Sequence, residues 1–165
     1  MSVLLAKVVL FIILGPGTVA VLAPYLLLRY SGGFNWPFCS RSVILVCALC
    51  LFCGGFLLSC TWEFVVRGQG TPAPVDPPKA LVIQGPYRYN RNPMYVGIMG
   101  IIAAEALFFA SFSLLVYAAV LWLGFHLFVL LYEEPHLKKK FGPAYQEYCR
   151  RVPRWGIALN LWKKA

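Results

Sequence analysis

Arg91-Asn92-Pro93-Met94-Tyr95-Val96-Gly97 and Tyr132-Glu133-Glu134-Pro135 bracket one apolar hairpin, and their placement decides the fold. A helix rises about 1.5 Å per residue, so the runs Pro93 to Ala110 and Leu114 to Tyr132 each extend roughly 27 to 29 Å, close to a hydrocarbon core. The chain crosses a bilayer and returns. Both motifs therefore reach one membrane face, where segments distant in sequence meet as a polar cluster.

The rest of the chain agrees with a membrane setting. Its 165 residues are 60% hydrophobic with a mean hydropathy of +0.70, whereas soluble domains average about 45 to 50% apolar. Further apolar runs, Val3 to Leu28 and Val43 to Val66, complete the pattern. The expected fold is an all-α integral membrane protein of about four transmembrane helices, because backbone polar groups in lipid must be satisfied within each helix. The first run is expected to be a retained helix, bent near Gly15-Pro16-Gly17, since it exceeds a signal-peptide core of about 7 to 15 residues.

Arg67, Lys79, Arg88 and Arg91 lie on one side of the hairpin with Lys138, Lys139, Lys140, Arg150, Arg151, Arg154, Lys163 and Lys164, while the opposite loop holds only Arg29 and Arg41. The positive-inside rule then places both termini and both motifs in the cytosol. Topology accounts for most of the net charge of +9, and the triple lysine suits anionic headgroups. No nucleic-acid recognition motif accompanies the charge. Cys47-x-x-Cys50-x-x-Cys53 has ligand-like spacing, but it lies in an apolar helix with no His or second Cys pair to complete a metal site. These thiols read as packing, and Cys39, Cys60 and Cys149 define no disulfide framework.

The chain divides into residues 1–66, an N-terminal helix pair, and 67–165, which holds the connector, the C-terminal hairpin and the tail. Gly68 to Pro78 is rich in glycine and proline, which fits either a lid or an ordered strap. Ala80 to Ile83 reads as extended, leading into a Gly85-Pro86-Tyr87 turn. Beyond Glu134, Leu137, Phe141, Tyr145 and Tyr148 recur at helical spacing, predicting an amphipathic helix over the cytosolic face, interrupted at Gly142-Pro143. Trp155 and Trp162 suit the headgroup region.

Glu63, Glu105 and His126 are the main ionisable residues within the apolar runs, and such residues are functional candidates because burying them is costly. Glu63 is close enough to a helix end to reach water. Glu105 fits a structural hydrogen bond or a substrate contact. His126, two turns before Glu133, fits either an interhelical hydrogen bond or a place beside the acidic pair. Glu133 and Glu134 suit an ammonium, or else an ordinary charged helix end. Arg91 and Asn92 offer a carboxylate-binding guanidinium and an amide. Pro93 is suited to begin a helix, and Gly97 and Gly100 permit close ligand approach or helix packing. An amino-acid-like ligand with both carboxylate and ammonium matches this polarity.

Taken together, Gly85-Pro86-Tyr87-Arg88, Arg91-Asn92-Pro93-Met94-Tyr95-x-Gly97, Glu133-Glu134 and Phe141-Gly142-x-x-Tyr145-x-x-Tyr148 resemble the membrane methyltransferase superfamily of isoprenylcysteine carboxyl methyltransferases and phospholipid N-methyltransferases. The resemblance spans roughly Gly68 to Arg154. It implies S-adenosylmethionine as methyl donor, a cytosolic cofactor pocket, and a membrane lipid or lipidated small molecule as acceptor. It further implies a pocket shaped by Tyr87, Arg91, Asn92, Pro93, Tyr95, Gly97, Glu133 and Glu134, with Tyr145 or Tyr148 closing it. Arg91, Glu134, His126 and Glu105 are the catalytic candidates, with Glu134, Glu105 or His126 as proton acceptor where the acceptor is an amine. Many relatives carry Arg-His-Pro where this chain has Arg91-Asn92-Pro93, so no imidazole role transfers to Asn92. Two other readings stay open: a nicotinamide-dependent membrane reductase, and a non-catalytic membrane interaction protein of the same fold.

Overall fold

A computed structural model describes residues 2–31, 40–68 and 79–158. Among these, every regular element is helical. Three helices are long and apolar enough to cross a membrane, Ala6–Tyr30, Val46–Gly68 and Phe112–Phe141, and a shorter apolar helix spans Pro93–Phe108. The protein is a multi-pass, all-α integral membrane protein.

The N-terminal helix runs as α1 (Ser2–Ile12), a π-helical stretch π1 (Ile13–Leu22) and α2 (Ala23–Tyr30). Pro16 lies inside π1. It has no N–H to donate and its ring opposes the usual backbone register, so the helix widens around it. Helix α3 (Ser40–Glu63) continues into π2 (Phe64–Gly68), and a 3-10 turn, Gly85–Arg88, precedes α4 (Pro93–Phe108). Leu28 packs with Ala106 and Leu114 at one end of the bundle. At the other, Cys60 packs with Val82 and Tyr87. Ala20, Leu57, Ile98 and Ile102 form the core between them. These contacts make successive helices antiparallel.

Two sequence-derived boundaries change. Helix α4 has 16 residues, about 24 Å at 1.5 Å per residue, and stops short of a full hydrocarbon core. Ala110 takes a left-handed φ of 45° and the Ser111 hydroxyl accepts from the Leu114 amide at 3.4 Å, ending one helix and capping the next. Conversely, α5 (Phe112–Phe128) does not end at the acidic pair. It continues through π3 (Val129–Glu133) into α6 (Glu134–Phe141), with the Glu134 amide donating to Val129 O. That wide turn accommodates Pro135, so Glu133 and Glu134 lie within a helix rather than at a charged end. Gly142, at φ 54° and ψ −127°, then turns the chain into α7 (Pro143–Arg151).

Gly97 and Gly100 set the approach of α4 to α3. A Cβ on Gly97 would lie 2.9 Å from Leu57 Cγ, and one on Gly100 2.8 Å from Cys53 Sγ. Glycine is what lets these helices touch. Glu63 does not simply reach water: it pairs with Arg67 and lies under Gly85, whose φ is +57° and whose added Cβ would sit 2.9 Å from the Glu63 side chain. The Gln69 to Pro78 stretch, read as lid or strap, lies outside the described residues, as do Cys39, Trp162, Lys163 and Lys164.

Candidate functional site

The hairpin carries both polar motifs to one end of the bundle. Pro93 opens α4 there, and two residues later Tyr95 OH donates to Glu133 Oε1 at 2.9 Å. This bond joins the two motifs. Among the described residues Glu133 has no cationic partner within ion-pair distance.

Its neighbour faces a different environment. Glu134 is buried, and Arg154 grips it with two bonds, Nε to Oε1 at 2.6 Å and Nη2 to Oε2 at 2.9 Å. Arg91 Nη1 reaches Oε1 at 3.0 Å and also donates to Cys149 Sγ at 2.8 Å. The carboxylate is thus saturated by two guanidiniums, one in the bidentate geometry that arginine favours. Glu134 beside it holds the Arg154 guanidinium above its ordinary range. Arg91 Nε is buried with no hydrogen-bond partner among the described residues.

A strap after α7 closes this rim. The Arg91 amide donates to Pro153 O at 3.0 Å and the Ala158 amide to Tyr89 O at 2.7 Å. Asn90 Nδ2 donates to Gly156 O at 2.8 Å and Asn92 Nδ2 to Arg154 O at 3.1 Å. Asn92 therefore ties down the strap. Trp155 Nε1 donates to His126 Nδ1 at 3.0 Å, and Trp122 stacks on the same imidazole. Helix α7 packs Tyr145, Tyr148 and Val152 against Leu81, Ile83, Leu137 and Phe141. Tyr148 OH donates to Tyr87 O at 2.7 Å. Burial pushes the Tyr87, Tyr145 and Tyr148 phenols up, so they remain neutral donors.

Inside this rim lies a chamber of about 400 Å³, within the range of small-molecule sites. Tyr87, Arg91, Asn92, Tyr95, Glu133 and His136 supply its polar part, and Phe11, Val19, Ile98, Phe125 and Phe128 its apolar part. A smaller recess of about 50 Å³ shares Tyr87, Arg91, Asn92 and Glu133 and adds Glu134, Tyr145 and Tyr148. Of the sequence candidates, Gly97 faces α3, and Pro93, Glu105 and His126 do not line either space. The imidazole of His126 serves Trp155 instead of the acidic pair. Sequence reasoning misses His136, although its three-residue spacing from Glu133 places it one turn along the same helix. The wall from the N-terminal helix has no comparable sequence signal.

A family profile described as phospholipid methyltransferase matches residues 43–144. The chain belongs to this family. Among curated proteins it is 35% identical over 74 residues to "Protein-S-isoprenylcysteine O-methyltransferase B" of Arabidopsis thaliana, covering 44% of this chain and 37% of that protein. The corresponding enzyme of Schizosaccharomyces pombe is 36% identical over 80 residues, covering 48% of this chain and 33% of the relative. "Delta(14)-sterol reductase LBR" of Gallus gallus is 33% identical over 89 residues, covering 50% and 13% respectively. The matches thus span between about an eighth and about a third of these relatives' lengths. No solved structure matches. The resemblance drawn from the sequence motifs therefore holds at family level, and the 43–144 match runs from within α3 to the start of α7 and excludes the N-terminal helix.

Proposed function

We propose that the protein transfers a methyl group from S-adenosylmethionine to a membrane-associated acceptor bearing an apolar chain, either a prenylcysteine-like carboxylate or a phospholipid-like amine. One observation carries this reading: the Glu133 carboxylate, without a cationic partner among the described residues, borders a chamber that passes from a polar rim into an apolar interior. The methyl donor, when bound, supplies an electrophilic methyl carbon on a sulfonium, together with an ammonium and a carboxylate.

The residues fit such a group. Glu133 offers a carboxylate to the ammonium, and the partnerless Arg91 Nε offers a donor to the carboxylate. Asn92, Tyr95 and Tyr87 complete the polar wall. Glu134, held by Arg91 and Arg154, acts as a positioning residue. Much of the rate enhancement is then orientation of the acceptor against the methyl carbon. A carboxylate acceptor needs no base, whereas an amine must lose a proton. His136 borders the chamber and suits that role better than Glu134, which two guanidiniums hold, or Glu105 and His126, which line neither space. Residues 67–165 form the catalytic core in this reading, residues 1–66 supply part of the chamber wall, and the rim and both termini face the cytosol.

The reductase relative supports a second reading, nicotinamide binding in the same chamber. Calorimetry on the full chain in lipid nanodiscs separates the two, with S-adenosylmethionine, S-adenosylhomocysteine and NADPH as titrants. Saturable S-adenosylhomocysteine binding that weakens in Glu133→Gln is expected. Selective NADPH binding would instead establish the reductase reading, and binding of neither would leave a membrane interaction protein.

A further inference from the structure

Phe11, Gly15, Pro16 and Val19 line the chamber together with Phe125 and Phe128. All four precede residue 43, where the family match begins. This wall is therefore contributed by a part of the chain that the family signature does not specify.

Of the two glycines flanking Pro16, only Gly15 lines the chamber. A Cβ on Gly17 would meet Ile12 O at 3.1 Å, so the backbone of the wide turn itself restricts that position. At Gly15 an added Cβ would meet only the Phe11 ring, at 3.6 Å or more, which is ordinary contact. Helix packing does not demand glycine there. Its effect is to leave space in the chamber beside Phe11.

The wall is also held in place. Tyr117 OH, on α5, donates to Val19 O at 2.8 Å, and Thr18 Oγ1 donates to Ile13 O at 3.4 Å. These bonds satisfy carbonyls around the proline-widened turn. The Phe11, Val19, Phe125 and Phe128 surfaces carry no charge, so an apolar chain suits them. The reacting end of the same molecule would then lie toward the polar rim, where the donor is held.

We propose that Phe11, Gly15 and Val19 form the acceptor-selecting wall, a seat for one isoprenoid or acyl chain whose permitted girth and length are set by the open space at Gly15. The proposal deepens the methyltransferase reading and rests on it for the identity of the acceptor. Filling the seat with Gly15→Leu should disfavour long chains, and opening it with Phe11→Ala should favour them. Changes of a methylene or two in an apolar pocket alter selectivity by about tenfold or more.

The test uses the full chain in nanodiscs and a series of dansyl-labelled cysteines carrying S-geranyl, S-farnesyl or S-geranylgeranyl groups. Probe affinity is read by fluorescence, methylation of the same probes by product analysis, and methyl-donor affinity by calorimetry. Gly15→Leu should shift the long-to-short preference by about tenfold toward geranyl, and Phe11→Ala should shift it the other way, with donor affinity unchanged. Gly15→Ala, sterically mild, serves if the leucine variant does not fold, and should shift preference in the same direction. Unaltered chain preference in both Phe11→Ala and a folded Gly15 variant overturns the seat, as does failure of wild-type protein to bind any probe. Shifted preference without donor binding would uphold the seat and overturn the methyl-transfer reading.

Discussion

Glu133 and Glu134 are adjacent in one helical run, yet one borders a chamber with a tyrosine as its bonded partner while the other is buried between two arginines. Successive helical residues point about 100° apart, so a pair of like residues rarely shares one environment. Here the wide turn of π3 adds to that divergence. The difference separates two tasks: Glu134 assembles the rim, and Glu133 is left for a ligand.

Removing Glu134 should produce the largest effect. Glu134→Ala strands Arg91 and Arg154 beside one another, and breaking a buried ion pair costs about 3 to 5 kcal/mol. Thermal unfolding in detergent should register a large fall in Tm. An unchanged Tm would show that the arginines find other partners and that the rim does not depend on Glu134.

Glu133→Gln should leave Tm near wild type but weaken S-adenosylhomocysteine binding, because hydrogen bonds to charged groups contribute about 1.5 to 3 kcal/mol, roughly a ten- to hundredfold change in Kd. Calorimetry beside the unfolding curve checks both halves. If Glu133→Gln unfolds the protein and Glu134→Ala spares it, the assignment of the two carboxylates is reversed.

A smaller effect belongs to Gly142, which orients α7 and the strap onto the rim. Nothing lies within 4 Å of an added Cβ, but φ is +54° with ψ −127°, a region open to glycine, so Gly142→Ala should cost about 1 to 3 kcal/mol from backbone conformation alone. The loss should appear in Tm rather than in ligand affinity. A variant that folds normally yet binds weakly would mean that α7 controls the chamber directly.

The two-motif hairpin was legible because proline, glycine and the acidic pair mark its ends, and because helical rise converts residue number into membrane thickness. The alternating direction of the helices followed from the same arithmetic. The separate tasks of Glu133 and Glu134 were not legible, since they depend on a wide turn and on Arg154, twenty residues further along. Likewise Asn92 reads as a ligand group in sequence, and its bond to Arg154 O requires the folded strap. Gly97 carries two readings in sequence, and only its distance from Leu57 selects packing. The N-terminal wall escapes because apolar residues facing lipid and apolar residues facing a chamber have the same composition.

The opposite end of the hairpin supplies the smallest effect and a control for all the others. Ala110 adopts a left-handed φ of 45°, a conformation that costs a residue with a Cβ about 1 to 2 kcal/mol. Glycine removes that cost but adds about 0.5 to 1 kcal/mol of chain entropy on folding. Ala110→Gly should therefore raise stability by no more than about 1.5 kcal/mol, through the turn that ends α4 and leads to Ser111. The rim lies at the far end of the same two helices, so ligand affinity should not move. A small rise in Tm with unchanged Kd would show that hairpin stability and ligand binding separate. A change in Kd would mean that strain at the distal turn reaches the Tyr95–Glu133 bond, making the hairpin one coupled unit.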